Sequence, residues 1–137
     1  MEITCKDCGR FLGMAEGWYD TCEMCRIEAL VQKIRDNLSP DLLKSKYKND
    51  KWPAGHCYVA SECFYHVHGK HYGYKPYCAR LDDGSTHWWL QRGEAILDLT
   101  ADQFEKIFDY DKGHKQFFVS YPSKRCLTLA ERIKNAI

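Results

Sequence analysis

The stretch Thr86-His87-Trp88-Trp89-Leu90-Gln91-Arg92-Gly93-Glu94-Ala95-Ile96-Leu97-Asp98-Leu99-Thr100 decides how the chain is read. Residues 86–91 are ring-rich and residues 95–99 are apolar, with Arg92-Gly93 between them as a two-residue turn. Strands joined by so short a connection must run antiparallel. With the turn at Arg92-Gly93, Gln91 faces Glu94, Trp89 faces Ile96 and His87 faces Asp98. Directly opposed residues of such a ladder have Cβ atoms about 4.5–5.5 Å apart, which suits a carboxylate that orients an imidazole. Trp88 and Trp89 point to opposite faces of the strand, one for the core and one to line a groove.

Working outward, residues 74–81 read as a strand closed by the turn Asp82-Asp83-Gly84-Ser85, and residues 116–121 as another, with Phe117-Phe118-Val119 buried. Cys57, Ala60, Cys63, Phe64 and Val67 recur as one helical face, with Gly69 as a stop. Thr100 with Gln103, and Thr128 with Glu131, have capping-box spacing and open two further helices, the second over residues 129–136. Near the N-terminus, Ile27, Leu30, Val31, Ile34 and Leu38 give residues 25–38 helical periodicity. Ser39-Pro40-Asp41 then opens a short helix to about Tyr47. Residues 44–51 are a lysine-rich link. The expected fold is α+β: an antiparallel sheet of about four strands with the Cys57 helix on one face, plus an N-terminal module. The expected boundaries are 1–26 for that module, 27–51 for a helical connector and 52–137 for the core.

Composition narrows the function classes. The 137 residues suffice for one domain with an appendage. Charged residues at 28% and hydrophobic ones at 45% are ordinary for a soluble globular chain. A net charge of +1 gives no bulk attraction to nucleic acid or membrane. No apolar run reaches the roughly 18 residues of a membrane span, and the N-terminus lacks the apolar core of a secretory signal. A reducing cytoplasm is the expected location, which argues against reading the eight cysteines as four disulfides.

Half of those cysteines form one pattern. Cys5-x2-Cys8 and Cys22-x2-Cys25 are separated by 13 residues. Each CxxC turn presents two thiolates to one ion, and two turns complete the tetrahedral shell that zinc prefers. Gly9 follows the first pair, where the turn favours a residue without Cβ. Four cysteine ligands leave no position for water, so one structural Zn2+ is expected, ordering a segment too small to bury its own core. The charges around it are mixed, Lys6, Arg10 and Arg26 against Asp7, Glu16, Asp20 and Glu23, which weakens a nucleic-acid reading.

Among the other cysteines, Cys63, Cys78 and Cys126 read as small buried hydrophobes. Cys57 differs because it follows Trp52-Pro53-Ala54-Gly55-His56 and opens a helix. A helix N-terminus favours a thiolate, and its N–H groups can hold an oxyanion. With a base and an orienting acid on the hairpin, Cys57, His87 and Asp98 form a candidate catalytic triad. His66, His68 and His71 are not spaced to share one helical face, so no second metal is expected there.

Gly55-His56-Cys57, His87-Trp88-Trp89-Leu90, Ile96-Leu97-Asp98-Leu99-Thr100 and Gln103-Phe104 together resemble the papain/transglutaminase-like core. They are closer still to small YunG-like bacterial and phage proteins with a G-x-C, H-x-W, D-x-T-x-x-Q-F pattern. The resemblance covers about residues 52–105 and leaves out the zinc module. It implies Cys57 as nucleophile, His87 as general acid/base and Asp98 as orienter. The implied chemistry is acyl transfer through a thioester: amide or isopeptide hydrolysis, deamidation or transamidation of a protein or peptide. Residues 50–56 hold no Gln or Asn, so the expected oxyanion donors are the Cys57 N–H and the indole N–H of Trp52. The competing expectation is a non-catalytic zinc-binding adaptor or pseudoenzyme that binds a protein or nucleic acid.

Overall fold

The computed structural model describes residues 3–9, 11–13, 22–42, 55–66, 72–118 and 122–135. The chain forms two compact units, Met1–Lys33 and Ile34–Ile137, divided within one helix. Among the described residues no helix is long and apolar enough to cross a membrane.

In the first unit β1 (Ile3–Thr4) pairs antiparallel with β2 (Phe11–Gly13). Helix α1 (Glu23–Asp36) follows and runs across the division. Its buried residues Ile27, Leu30 and Ile34, continued by Leu38 just beyond the helix, keep the three- and four-residue steps read from the sequence, with Val31 half-buried. Past α1, Pro40–Leu42 is a single 3-10 turn. The rest of the expected short helix and the lysine-rich link lie outside the described residues.

The second unit is α+β, with a four-stranded antiparallel sheet in the order β5-β4-β3-β6. Its strands are β3 (Lys75–Arg80), β4 (Thr86–Arg92), β5 (Ala95–Leu97) and β6 (His114–Lys115). The turn between β3 and β4 closes through Leu81 N–H to the Ser85 carbonyl at 2.7 Å, and the Asp83 carboxylate accepts from Ser85 N–H at 2.9 Å. Pairing then runs from Arg80 with Thr86 to Lys75 with Gln91.

The next hairpin corrects the sequence reading. Arg92 pairs with Ala95, Gln91 with Ile96 and Leu90 with Leu97, so the turn is Gly93-Glu94 and the register is displaced by two residues. Gly93 has φ +58 and occupies the first central position. A positive φ there matches strand twist and suits glycine, whereas Arg92 would bring its Cβ against the backbone. The strand expected over 95–99 stops at Leu97.

Helix α2 (Cys57–Phe64) explains why β5 can stop. In an antiparallel ladder the N–H and C=O of one residue point to the same neighbour. Arg92 flanks the turn and faces β5, so by parity the carbonyls of Trp88 and Thr86 point that way too, past the end of β5. Two side chains of α2 take them up: the Cys57 thiol donates to Thr86 O at 3.8 Å and the Ser61 hydroxyl to Trp88 O at 3.4 Å. Helix α2 therefore covers the open edge of β4, with Val59, Ala60, Cys63 and Phe64 buried. Val67 and Gly69 lie outside the described residues.

Three other expectations change. The last helix, α3 (Lys124–Asn135), begins five residues earlier than its predicted start at 129. Its cap is Ser123, whose hydroxyl accepts from Cys126 N–H at 3.2 Å, whereas Thr128 donates to Lys124 O within the helix. The buried Glu62 carboxylate accepts from Ser123 N–H at 3.1 Å and from its hydroxyl at 2.5 Å, which joins α2 to the start of α3. The last strand among the described residues is His114–Lys115, and residues 116–118 of the expected strand are not part of it: Phe118 is buried but Phe117 is 77% exposed, and residues 119–121 lie outside the described residues. Finally, Thr100 opens one 3-10 turn, Ala101–Gln103, and its side chain makes no capping bond.

Candidate metal centre and candidate Cys-His-Asp site

Within the first unit the ligand atoms of Cys5, Cys8, Cys22 and Cys25 lie within 4.8 Å of one another, a cluster that could hold a metal ion. Each CxxC is shaped by the backbone. Gly9 N–H donates to Cys5 O at 2.8 Å with φ +78 at Gly9, the Cβ-free turn expected from the sequence. In the second pair Cys25 N–H donates to Cys22 Sγ at 3.4 Å, and Arg26 N–H to Cys22 O at 3.0 Å.

The Cys5 and Cys25 thiols of this cluster have their ionisation shifted in opposite directions. Burial opposes ionisation of Cys5, but backbone N–H groups at Cys22, Cys8 and Asp7 outweigh it and lower its pKa to about 6. Cys25 moves the other way: its hydrogen bonds with the Cys22 and Cys8 thiols, then burial, push its pKa up. Four thiolates so close together repel one another unless a positive ion lies between them. All eight cysteines are among the described residues and none is in a disulfide.

The second unit brings His87 and Asp98 together. His87 lies on β4, and its Nε2 donates to Asp98 Oδ2 at 2.6 Å. Asp98 is locally held: Oδ1 accepts from Thr100 N–H at 3.1 Å, and Oδ2 also accepts from the Tyr110 hydroxyl at 2.7 Å. Burial, then the Asp98 contact, raises the Tyr110 pKa. The His87 ring stacks on Trp89 at 5.6 Å and meets the edges of Phe104 at 4.8 Å and Phe108 at 5.1 Å.

Burial alone would lower the His87 pKa. The Asp98 hydrogen bond, and then the neighbouring Cys57 thiol, overcome burial and raise it to about 9. The Cys57 thiol itself is placed by Thr86 O at 3.8 Å, on the residue that precedes His87 in β4. With Nε2 held by Asp98, Nδ1 is the remaining ring nitrogen of His87.

Gln103 and Tyr110 were not singled out as site residues by the sequence. The Gln103 amide nitrogen lies 2.6 Å from His87 Nδ1 and 3.5 Å from Thr100 Oγ1. The Asp98-to-Gln103 spacing was visible in the sequence, but the same spacing from Thr100 also reads as a capping box, and only a folded loop separates the two. Tyr110 carried no local signal. Trp52, the expected second oxyanion donor, lies outside the described residues, as do His68 and His71. Trp89 is buried, whereas Trp88 is half-buried against Tyr58 and Phe118.

Comparison of the chain with protein-family models, curated proteins and solved structures finds no match, so function has to be read from these two clusters.

Proposed function

We propose that the chain is a cysteine-dependent acyl-transfer enzyme with a papain/transglutaminase-like core, in which Cys57 is the nucleophile, His87 the general acid/base and Asp98 its orienter. The observation that carries this reading is one buried imidazole held by Asp98 through Nε2 at 2.6 Å, on the strand whose preceding carbonyl, Thr86 O, takes the Cys57 thiol at 3.8 Å. His87 Nδ1 takes the thiol proton and the sulfur attacks the acyl carbon of an amide. The Cys57 backbone N–H, at the start of α2, supports the oxyanion. His87 then returns the proton to the leaving amine, and water or a second amine resolves the thioester. The substrate class is a protein or peptide amide, hydrolysed or transferred. The G-x-C, H-x-W, D-x-T-x-x-Q-F pattern of YunG-like proteins supports the same assignment.

The four-cysteine cluster is assigned to zinc in a zinc-ribbon-like module. All-thiolate donors in CxxC turns suit that ion, and a closed shell gives it a structural role.

A second reading is favoured by burial. The His87 side chain is fully buried and Cys57 is 7% exposed. In that reading the same groups form a core polar network, and the protein is a non-catalytic zinc-bearing adaptor or pseudoenzyme that binds a protein or nucleic acid.

The rate of Cys57 modification by iodoacetamide from pH 5 to 9, followed at the Cys57 peptide, separates the two. A fast reaction that persists below pH 7 and disappears in His87→Ala is the expected result. Reaction only near the free-thiol pKa of about 8.5, the same in wild type and mutant, overturns the enzyme reading.

A further inference from the structure

Asp98 holds His87 Nε2, so a base at His87 has to act through Nδ1, and that atom is already engaged by the Gln103 amide at 2.6 Å. We infer that Gln103 is a latch on the proposed nucleophile–base pair: it competes with the Cys57 thiol for His87 Nδ1, and the thiol is activated only when the amide gives way. This inference rests on the Cys-His-Asp reading above and assigns that site a resting state.

The placement of Gln103 is supported by its surroundings. Arg35, near the end of α1, donates to Leu99 O at 2.6 Å and forms a two-point pair with Asp102, at 2.8 Å to each carboxylate oxygen. Those contacts bracket the segment between Asp98 and Gln103 and pin the 3-10 turn that delivers the amide. The Thr100 hydroxyl lies on the other side of the Gln103 nitrogen. Bidentate arginine pairing gives geometric specificity as well as attraction, so Gln103 is aimed by a clamp at its own turn.

A side-chain amide suits a latch because it carries both a donor and an acceptor. Its N–H can satisfy the lone pair of neutral Nδ1, and its oxygen can accept from Nδ1–H of the imidazolium. It therefore accompanies His87 in either protonation state and must be displaced before a thiol or thiolate can take that position. An acyl group entering beside Cys57 would be the natural displacing agent.

The test compares Cys57 carboxamidomethylation at pH 6.0–7.5 in the full chain, in wild type, Gln103→Met, Gln103→Glu and His87→Ala, with circular dichroism as a check on folding. Methionine preserves size and removes both hydrogen-bonding groups. Its Cys57 should react about fivefold faster, the factor corresponding to a net hydrogen bond of about 1 kcal/mol. Glutamate holds Nδ1–H by charge and repels a thiolate, so its Cys57 should react several-fold slower. Opposite effects at one position are not the behaviour of a residue that merely supports the fold. Equal or slower reaction in Gln103→Met, with His87→Ala still slow, overturns the latch and leaves the Cys-His pair standing. An unchanged rate in His87→Ala overturns the pair itself and the latch with it.

Discussion

His87 and Asp98 meet at 2.6 Å although no strand pairing sets them opposite each other. The ladder from Leu90–Leu97 would put His87 across from position 100, and β5 ends one residue before Asp98. Asp98 is thus a diagonal neighbour on the strand's exit, turned inward by the Thr100 N–H and the Tyr110 hydroxyl. A carboxylate with three donors around it is well satisfied, and it keeps the imidazole in one orientation.

That pair makes stability depend on pH in a stated direction. The His87 pKa is raised from 6.5 to about 9 in the folded protein. The folded state therefore holds this proton more tightly, and its contribution is complete below about pH 6.5 and disappears as pH rises through about 9. The window corresponds to on the order of 3 kcal/mol. Urea unfolding at pH 6, 7.5 and 9.5 should show stability falling across the series in wild type. His87→Gln should flatten that fall, and an identical slope in both would remove His87 as its source.

Glu62 joins two helices from a fully buried position, accepting both donors of Ser123. Glu62→Ala leaves the Ser123 N–H without its acceptor in a site that excludes water, at a cost of about 2–3 kcal/mol. Glu62→Gln keeps one acceptor oxygen and should lose less. Chemical denaturation of the two variants checks the order.

Gly113 is required for space and not for backbone conformation, since its φ is an ordinary −82. A Cβ there would lie 2.2 Å from Trp89 Cη2 and Cζ2. Because Trp89 stacks on His87, Gly113→Ala should displace the ring under the imidazole as well as destabilise the fold by about 1–3 kcal/mol. Near-UV circular dichroism reads the tryptophan and thermal unfolding the stability. A variant matching wild type in both would show that the loop carrying Gly113 yields freely.

The cysteine cluster predicts about one zinc ion per chain by elemental analysis, and its loss in Cys8→Ser. Chelation should abolish hydrogen-exchange protection at the backbone amides of Gly9, Cys25 and Arg26, whose bonds belong to the CxxC turns. Amides of β3 and β4 should stay protected. Iron in place of zinc would show as visible absorbance.

Two things were legible from the sequence alone because their physics is local or periodic. The CxxC spacing needs only a short turn to bring two thiols together. The strand pattern has a period of two, and that rescued the His87–Asp98 reading: a hairpin slipped by two residues leaves every side chain on its original face. A slip of one would have sent His87 and Asp98 to opposite sides. Neither capping-box reading held, because such a motif reports only that two residues are near in sequence. Whether Gln103 turns back to the Thr100 backbone or reaches His87 depends on Arg35, distant in sequence, gripping Leu99 and Asp102. Likewise, α3 starts at Lys124 and not residue 129 because Ser123 caps it while bound to Glu62 of α2. Tyr110 and Gly113 acquire their roles only when the chain returns over Trp89. Spacing and alternation were enough for local geometry, but the partners of the buried polar groups were decided by tertiary structure, because a buried donor or acceptor must be satisfied by whichever group the fold brings within 3 Å or so.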